Sequence, residues 1–136
     1  MSGGGTSFKA GDDGFSLRVP GGPAAAGTAR QALGRLRDDF DEPTMETMRL
    51  LVTELVANSV RHGKTRCVSV KAVVTGNSVW LEVSDEGPGF EVEAAMRRGI
   101  RNTESGWGLF LVEQLANRWG VHRDGGATHV WFELRR

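Results

Sequence analysis

Met48-Arg49-Leu50-Leu51-Val52-Thr53-Glu54-Leu55-Val56-Ala57-Asn58 is the stretch on which the fold of this chain turns. Met48, Leu51, Val52, Leu55 and Val56 repeat at the three-and-four spacing of a helix that buries one stripe. Glu54 and Asn58 are i,i+4 neighbours, stacked together and set away from the centre of that stripe. Asp41-Glu42-Pro43 starts this helix, since proline suits a first helical turn, and Gly63 stops it after His62. Taken alone, a carboxylate beside a carboxamide is most simply a solvated helix face, and the flanking sequence has to decide.

Upstream, Phe15, Leu17 and Val19 alternate with Ser16 and Arg18, the period of a half-buried strand. Pro20-Gly21-Gly22-Pro23 ends it. Ala25, Ala29, Ala32, Leu33, Leu36 and Phe40 predict a helix with Arg30, Arg35, Arg37 and Asp38 largely outside. Residues 1–13, rich in Gly, Ser and Asp and lacking periodicity, read as a disordered leader, which leaves residues 14–136 as one domain. Downstream, Cys67–Val74 and Ser78–Ser84 are strands joined through Thr75-Gly76-Asn77, a hairpin connection. Phe90–Ser105 is a polar, Arg-rich segment. A helix from Trp107 to about Trp119 presents Leu109, Val112, Leu115, Ala116 and Trp119, and strands near Val121–Asp124 and Thr128–Arg135 flank Gly125-Gly126. The order predicts an α+β two-layer sandwich: a mainly antiparallel, mixed sheet with about three helices on one face.

The chain has 136 residues, with Lys+Arg and Asp+Glu both 17, so it lacks the field of a general nucleic-acid or anionic-membrane binder. One cysteine, Cys67, excludes an internal disulfide or a Cys-based metal cage and suits a reducing compartment. No apolar stretch reaches membrane-spanning length and the N-terminus has no signal pattern, so a soluble cytoplasmic protein is expected. His62, His122 and His129 lie on separate elements without Cys or carboxylate spacing and read as surface or packing residues, not as a metal site.

Two further clusters carry chemistry. Asp85 continues the core-facing row Val79, Leu81, Val83 and needs a hydrogen-bond partner there. Gly87 and Gly89, in Asp85-Glu86-Gly87-Pro88-Gly89, let backbone approach a flat ligand. An adenine amino group satisfies Asp85, whereas a guanine oxygen sets two acceptors face to face at a cost of roughly 1–3 kcal/mol. Gly106-Trp107-Gly108-Leu109 opens a helix whose first amides are unpaired and open to phosphates. Arg97, Arg98 and Arg101 each read first as part of a solvated charge run, and can reach phosphates if their segment folds over them as a lid. The P-loop and the Rossmann glycine pattern are both absent. With Asn58 offering a neutral oxygen to magnesium and Glu54 able to accept a proton, the three clusters describe a magnesium-nucleotide pocket.

These residues closely resemble the Bergerat-fold ATPases, the superfamily of gyrase-type, chaperone, histidine-kinase and mismatch-repair ATP-binding domains. Glu54-Leu55-Val56-Ala57-Asn58 is similar to its N box, Asp85-Glu86-Gly87-Pro88-Gly89 to its first glycine box and Gly106-Trp107-Gly108-Leu109 to its second. The likeness runs from Phe15 to Leu134. The small stand-alone form, Val19-Pro20, Leu115-Ala116-Asn117-Arg118-Trp119-Gly120 and Thr128-His129-Val130-Trp131-Phe132 are most similar to bacterial anti-sigma factors of the serine-protein-kinase type. The resemblance implies ATP and Mg²⁺ as cofactors, Glu54 as general base, Asn58 as the magnesium ligand and Asp85 as the adenine reader. It also implies that Gly87 and Gly89 shape the base pocket, that Gly106 and Gly108 serve the phosphates and that Thr128 assists at adenine. Trp107 stands where the family often has Arg, which places one phosphate or partner contact in doubt. The implied function is ATP-dependent phosphorylation of a serine or threonine of an antagonist protein by a bacterial regulator that also binds a sigma factor. The alternative is a non-catalytic ATP-dependent binding module.

Alternation also assigns Trp80 and Trp131 to the sheet face opposite the helices, as a patch that favours a homodimer or a protein partner. Trp80→Ser combined with Trp131→Ser is expected to shift the sedimentation mass or weaken partner capture while ATP binding persists. Unchanged assembly and partner binding in the folded double variant contradict that assignment.

Overall fold

In the computed structural model, which describes residues 5–11, 13–63, 66–86 and 107–136, the alternating apolar rows line up across one antiparallel sheet. Its strands are β1 (Ser7–Gly11), β2 (Gly14–Pro20), β3 (Cys67–Thr75), β4 (Ser78–Asp85), β5 (Arg118–Asp124) and β6 (Ala127–Arg135). Their spatial order is β1-β2-β3-β4-β6-β5. Among the described residues the α-helices are α1 (Ala25–Ala32), α2 (Glu42–Gly63) and α3 (Trp107–Leu115). The α+β two-layer sandwich is therefore as expected, except that among the described strands every neighbouring pair is antiparallel, where a mixed sheet was expected. Two helices in succession carry the chain away from β2 and back. The start of β3 thus lies beside the end of β2, where the Gly21 N–H donates to the Arg66 carbonyl at 2.9 Å.

Phe15, Leu17 and Val19 of β2, Val68, Val70 and Ala72 of β3, Val79, Leu81 and Val83 of β4, and Val130, Phe132 and Leu134 of β6 are buried. They meet the stripe of α2, which also packs on α1 and α3. At Gly76 the β3–β4 hairpin takes φ +50°, the left-handed conformation that glycine adopts at no steric cost.

Three expectations are corrected. Ser7–Gly11, inside the stretch read as a disordered leader, forms β1 and pairs with β2 from Ser7↔Arg18 to Gly11↔Gly14. All its residues are exposed, so burial leaves no trace in the pattern; Phe8 is held by stacking on Phe15 at 5.6 Å between centroids. The single helix expected to run on to Phe40 tightens after Ala32 into a 3₁₀ turn, Leu33–Leu36, which still buries Leu33 and Leu36. The last helix stops at Leu115 rather than Trp119. Asn117 turns the chain into β5 by donating its N–H to the Glu133 carbonyl and accepting the Arg135 N–H on Oδ1, both at 2.9 Å. Trp119 then pairs with Phe132 as a strand residue, and its indole N–H donates to the Glu113 carboxylate. The Phe90–Ser105 segment lies outside the described residues.

α2 is started by a cap. The Thr44 N–H donates to Asp41 Oδ1 at 3.0 Å, and the Asp41 carbonyl accepts the Met45 N–H. The Thr44 side-chain hydrogen bond, then its backbone one, hold the Asp41 carboxyl below the usual carboxylate range. A depressed pKa stabilises the fold above the unfolded value and is lost as pH falls through the folded value. Asp41→Ala is therefore expected to lower the urea midpoint at neutral pH. The gap from wild type should close as pH drops below the ordinary Asp value of 3.8. A gap that persists in acid contradicts the cap.

Candidate functional site

The phase of α2 decides where its polar residues emerge. With Leu51, Val52, Leu55 and Val56 buried, Glu54 and Asn58 are left half-buried, one turn apart, at the border of the stripe. α3 closes on this border. A Cβ built on Gly108 falls 2.7 Å from Asn58 Nδ2, 3.4 Å from Leu55 Cδ2 and 3.5 Å from the Glu54 carbonyl carbon. Glycine at Gly108 thus lets the first turn of α3, with its unpaired amides, rest against α2 at Glu54 and Asn58 without displacing the Asn58 side chain. Trp107 begins α3. Leu109 is buried in the core, so any contact of Leu109 with a ligand falls to its backbone. Gly87, Gly89 and Gly106 lie outside the described residues.

The second half of the site is a register row. Val19, Val68, Asp85, Thr128 and Arg123 are successive cross-strand partners over β2, β3, β4, β6 and β5. Val19, Val68 and Thr128 are buried and Asp85 is half-buried, so the row faces the helical layer and turns polar at Asp85. Directly opposed residues in an antiparallel pair are about 4.5–5.5 Å apart at Cβ, which sets the Asp85 carboxylate beside the Thr128 hydroxyl. Sequence reasoning missed Arg123, whose guanidinium Nη1 donates to Thr128 Oγ1 and whose Nη2 reaches the Gly126 carbonyl at 3.5 Å. The signal was available: Val121 and Arg123 alternate in the row that continues to Thr128.

The structure therefore brings Glu54, Asn58 and Gly108 together in one group, and Asp85 and Thr128 in another, on the same face of the sheet. A site for a magnesium-bound adenine nucleotide fits this arrangement. The small cradle at Gly108 would be filled by any side chain, the carboxamide and carboxylate on α2 are oxygen donors, and the Asp85 carboxylate accepts hydrogen bonds.

Gly108→Ala tests the cradle. The obstructing atom ends a flexible side chain, so the fold should survive while Asn58 is displaced. Mg-ATP affinity is expected to fall by about tenfold, or 1.4 kcal/mol, in calorimetric titration. Wild-type affinity in the folded variant contradicts the placement of Asn58.

Comparison with known proteins bears on the family and the fold. Residues 19–134 match the family model described as histidine kinase-like ATPase domain. The chain is 38% identical to an anti-sigma F factor of Thermoanaerobacter sp. (strain X514) over 63 residues, 41% of this chain and 44% of that protein. It is 25% identical over 133 residues to the serine-protein kinase RsbW of Listeria monocytogenes serovar 1/2a, covering 87% of this chain and 85% of the relative. Among solved structures, the RsbU and RsbW domains of a Mycobacterium tuberculosis protein superpose with a TM-score of 0.64 at 22% identity, covering 88% of this chain and 32% of that one. The chain thus spans less than half of the anti-sigma F factor and about a third of the mycobacterial protein.

Proposed function

The chain belongs to the histidine kinase-like ATPase domain family, and on that premise we propose that it is an anti-sigma-factor-type regulator with serine/threonine kinase activity toward an antagonist protein. The observation that carries this reading is Gly108 packed on Asn58 and on the Glu54 backbone. It sets the Asn58 carboxamide and the backbone of Glu54 against the first turn of α3, one turn of α2 carrying both polar side chains, and phosphoryl transfer uses such a convergence of polar groups. The names of the relatives, anti-sigma F factor and serine-protein kinase, support the same reading.

In this reading the Asp85 carboxylate accepts the adenine amino group, with Thr128 beside it. Gly87 and Gly89 border the base, and Gly106, Trp107, Gly108 and Leu109 offer backbone to the phosphates. Asn58 is the protein ligand of Mg²⁺, which when bound offsets the charge of the triphosphate. Glu54 takes the proton of the substrate hydroxyl as that oxygen bonds to the γ-phosphorus of ATP. The bond from that phosphorus to the bridging oxygen breaks, and ADP leaves. The partners are a sigma factor and a separate antagonist protein, in the cytoplasm of a bacterium, with the Trp80–Trp131 face available to a homodimer. No helix among the described residues is long and apolar enough to cross a membrane.

Glu54→Ala separates binding from chemistry. With labelled ATP and the cognate antagonist, transfer is expected to fall by about 10²-fold or more while ATP affinity changes little. Asn58→Ala should instead weaken magnesium-dependent nucleotide binding, and Asp85→Asn should abolish or strongly weaken ATP binding in a folded protein. Nucleotide binding without any transfer by the wild type marks the non-catalytic module instead. Equal binding losses from Glu54→Ala and Asn58→Ala reduce Glu54 to a structural residue.

A further inference from the structure

The open face of the sheet, opposite the helices, gathers the two histidines of the β5–β6 hairpin and a glutamate from β4, far upstream in the sequence. Register places His122 of β5 directly across from His129 of β6. It also places Ser84 of β4 across from His129, so Glu82 is His129's diagonal neighbour. The two imidazoles stack at 4.6 Å between centroids and 8° between planes. His129 Nδ1 is 3.4 Å from Glu82 Oε1, and His129 Nε2 is 3.0 Å from Asp124 Oδ1. One ligand atom each from Glu82, His122 and His129 lie within 4.8 Å of one another. The expectation that the histidines build no metal site rested on linear spacing, whereas sheet register brings these three side chains together.

The protonation logic is specific. A carboxylate only accepts, so the Asp124 contact calls for a proton on Nε2 and, in the neutral ring, leaves a lone pair on Nδ1. That Nδ1 is buried and has no hydrogen-bond partner, because the Glu82 contact lacks hydrogen-bond geometry. A lone pair and a carboxylate oxygen facing one another at this distance repel unless positive charge lies between them. The separation also matches two ligands on one tetrahedral ion, since bonds of about 2.0–2.1 Å set neighbouring ligands roughly 3.3–3.4 Å apart. A carboxylate holding the far nitrogen of a ligating imidazole is the usual support of such a ring.

We propose that Glu82, His122 and His129 bind a divalent transition-metal ion of the zinc type on the open face of the sheet, with Asp124 orienting His129. Two imidazoles and one carboxylate suit Zn²⁺, whereas Mg²⁺ and Ca²⁺ prefer all-oxygen shells. His122, with a side chain 51% exposed, is the adjustable partner, and His129 and Glu82, at 19% and 17%, are the fixed ones. The site is separate from the nucleotide pocket: His129 and Thr128 are adjacent in β6 but point to opposite faces.

The test is titration of the full chain, free of nucleotide and in excess Mg²⁺, with Zn²⁺ against a chromophoric chelator. One equivalent should bind. Glu82→Gln and His122→Ala should each weaken it at least tenfold, and Asp124→Asn by 10–100-fold, with far-ultraviolet circular dichroism unchanged. Co²⁺ at the same site should give the intense visible bands of a tetrahedral complex, lost in the Glu82→Gln/His122→Ala double variant. Absence of saturable Zn²⁺ binding overturns the site. Binding unchanged in Glu82→Gln and His122→Ala places the ion elsewhere and overturns it equally. Neither result bears on ATP binding, which is measured separately.

Discussion

The rest of the structure depends on the burial of one stripe of α2. Met45, Met48, Leu51, Val52, Leu55 and Val56 are all within 3% of complete burial. Truncating any one of the larger of these to alanine would cost about 2–5 kcal/mol. That fixes the rotation of the helix more firmly than any polar contact. Turning α2 by one residue, about 100°, would drive Glu54 toward the core, where an unpaired carboxylate is heavily penalised. The apolar stripe therefore aims Glu54 and Asn58, and Gly108 permits α3 to approach them.

The sheet extends the same economy of placement. Because side chains alternate, β4 and β6 each serve two chemistries. Asp85 and Thr128 face the helices, where ATP is proposed to bind, and Glu82 and His129 face the other way. Arg123 and His122 divide β5 in the same fashion. Trp131 occupies the open face near these residues, its ring laid so closely over Gly120 that a Cβ there would fall 2.7 Å from the indole nitrogen. Trp80 and Trp131 are both half-buried on that face, in keeping with the alternation.

Helix α2, the β3–β4 hairpin and the Asp85 row were legible because each writes a period into contiguous sequence. The placement of Glu54, Asn58 and Asp85 follows from those periods, and the N-box reading and Thr128 were legible only through the family resemblance. Three features were not legible. Strand β1 buries nothing, so its alternation between Ser7, Phe8 and Lys9 carries no hydrophobic signal. The end of α3 depends on Asn117 bonding to Glu133 and Arg135, a tertiary contact that overrides the helical spacing of Trp119. Arg123 beside Thr128, and His122 and His129 beside Glu82, are products of cross-strand register. That register is set by the β5–β6 turn at Gly125-Gly126, where both glycines take positive φ.

The most direct measurement of the central claim is a backbone amide titration by NMR with Mg-ATP and, in parallel, Mg-GTP. If α2, α3 and the Asp85 row form one adenine-nucleotide site, Mg-ATP should shift the amides of Glu54, Asn58, Asp85, Gly108 and Thr128 together along a single saturation curve. Mg-GTP should saturate them at least tenfold more weakly, because guanine sets an acceptor against Asp85. Equal response to the two nucleotides, or shifts that leave Asp85 and Thr128 unmoved, would contradict the site.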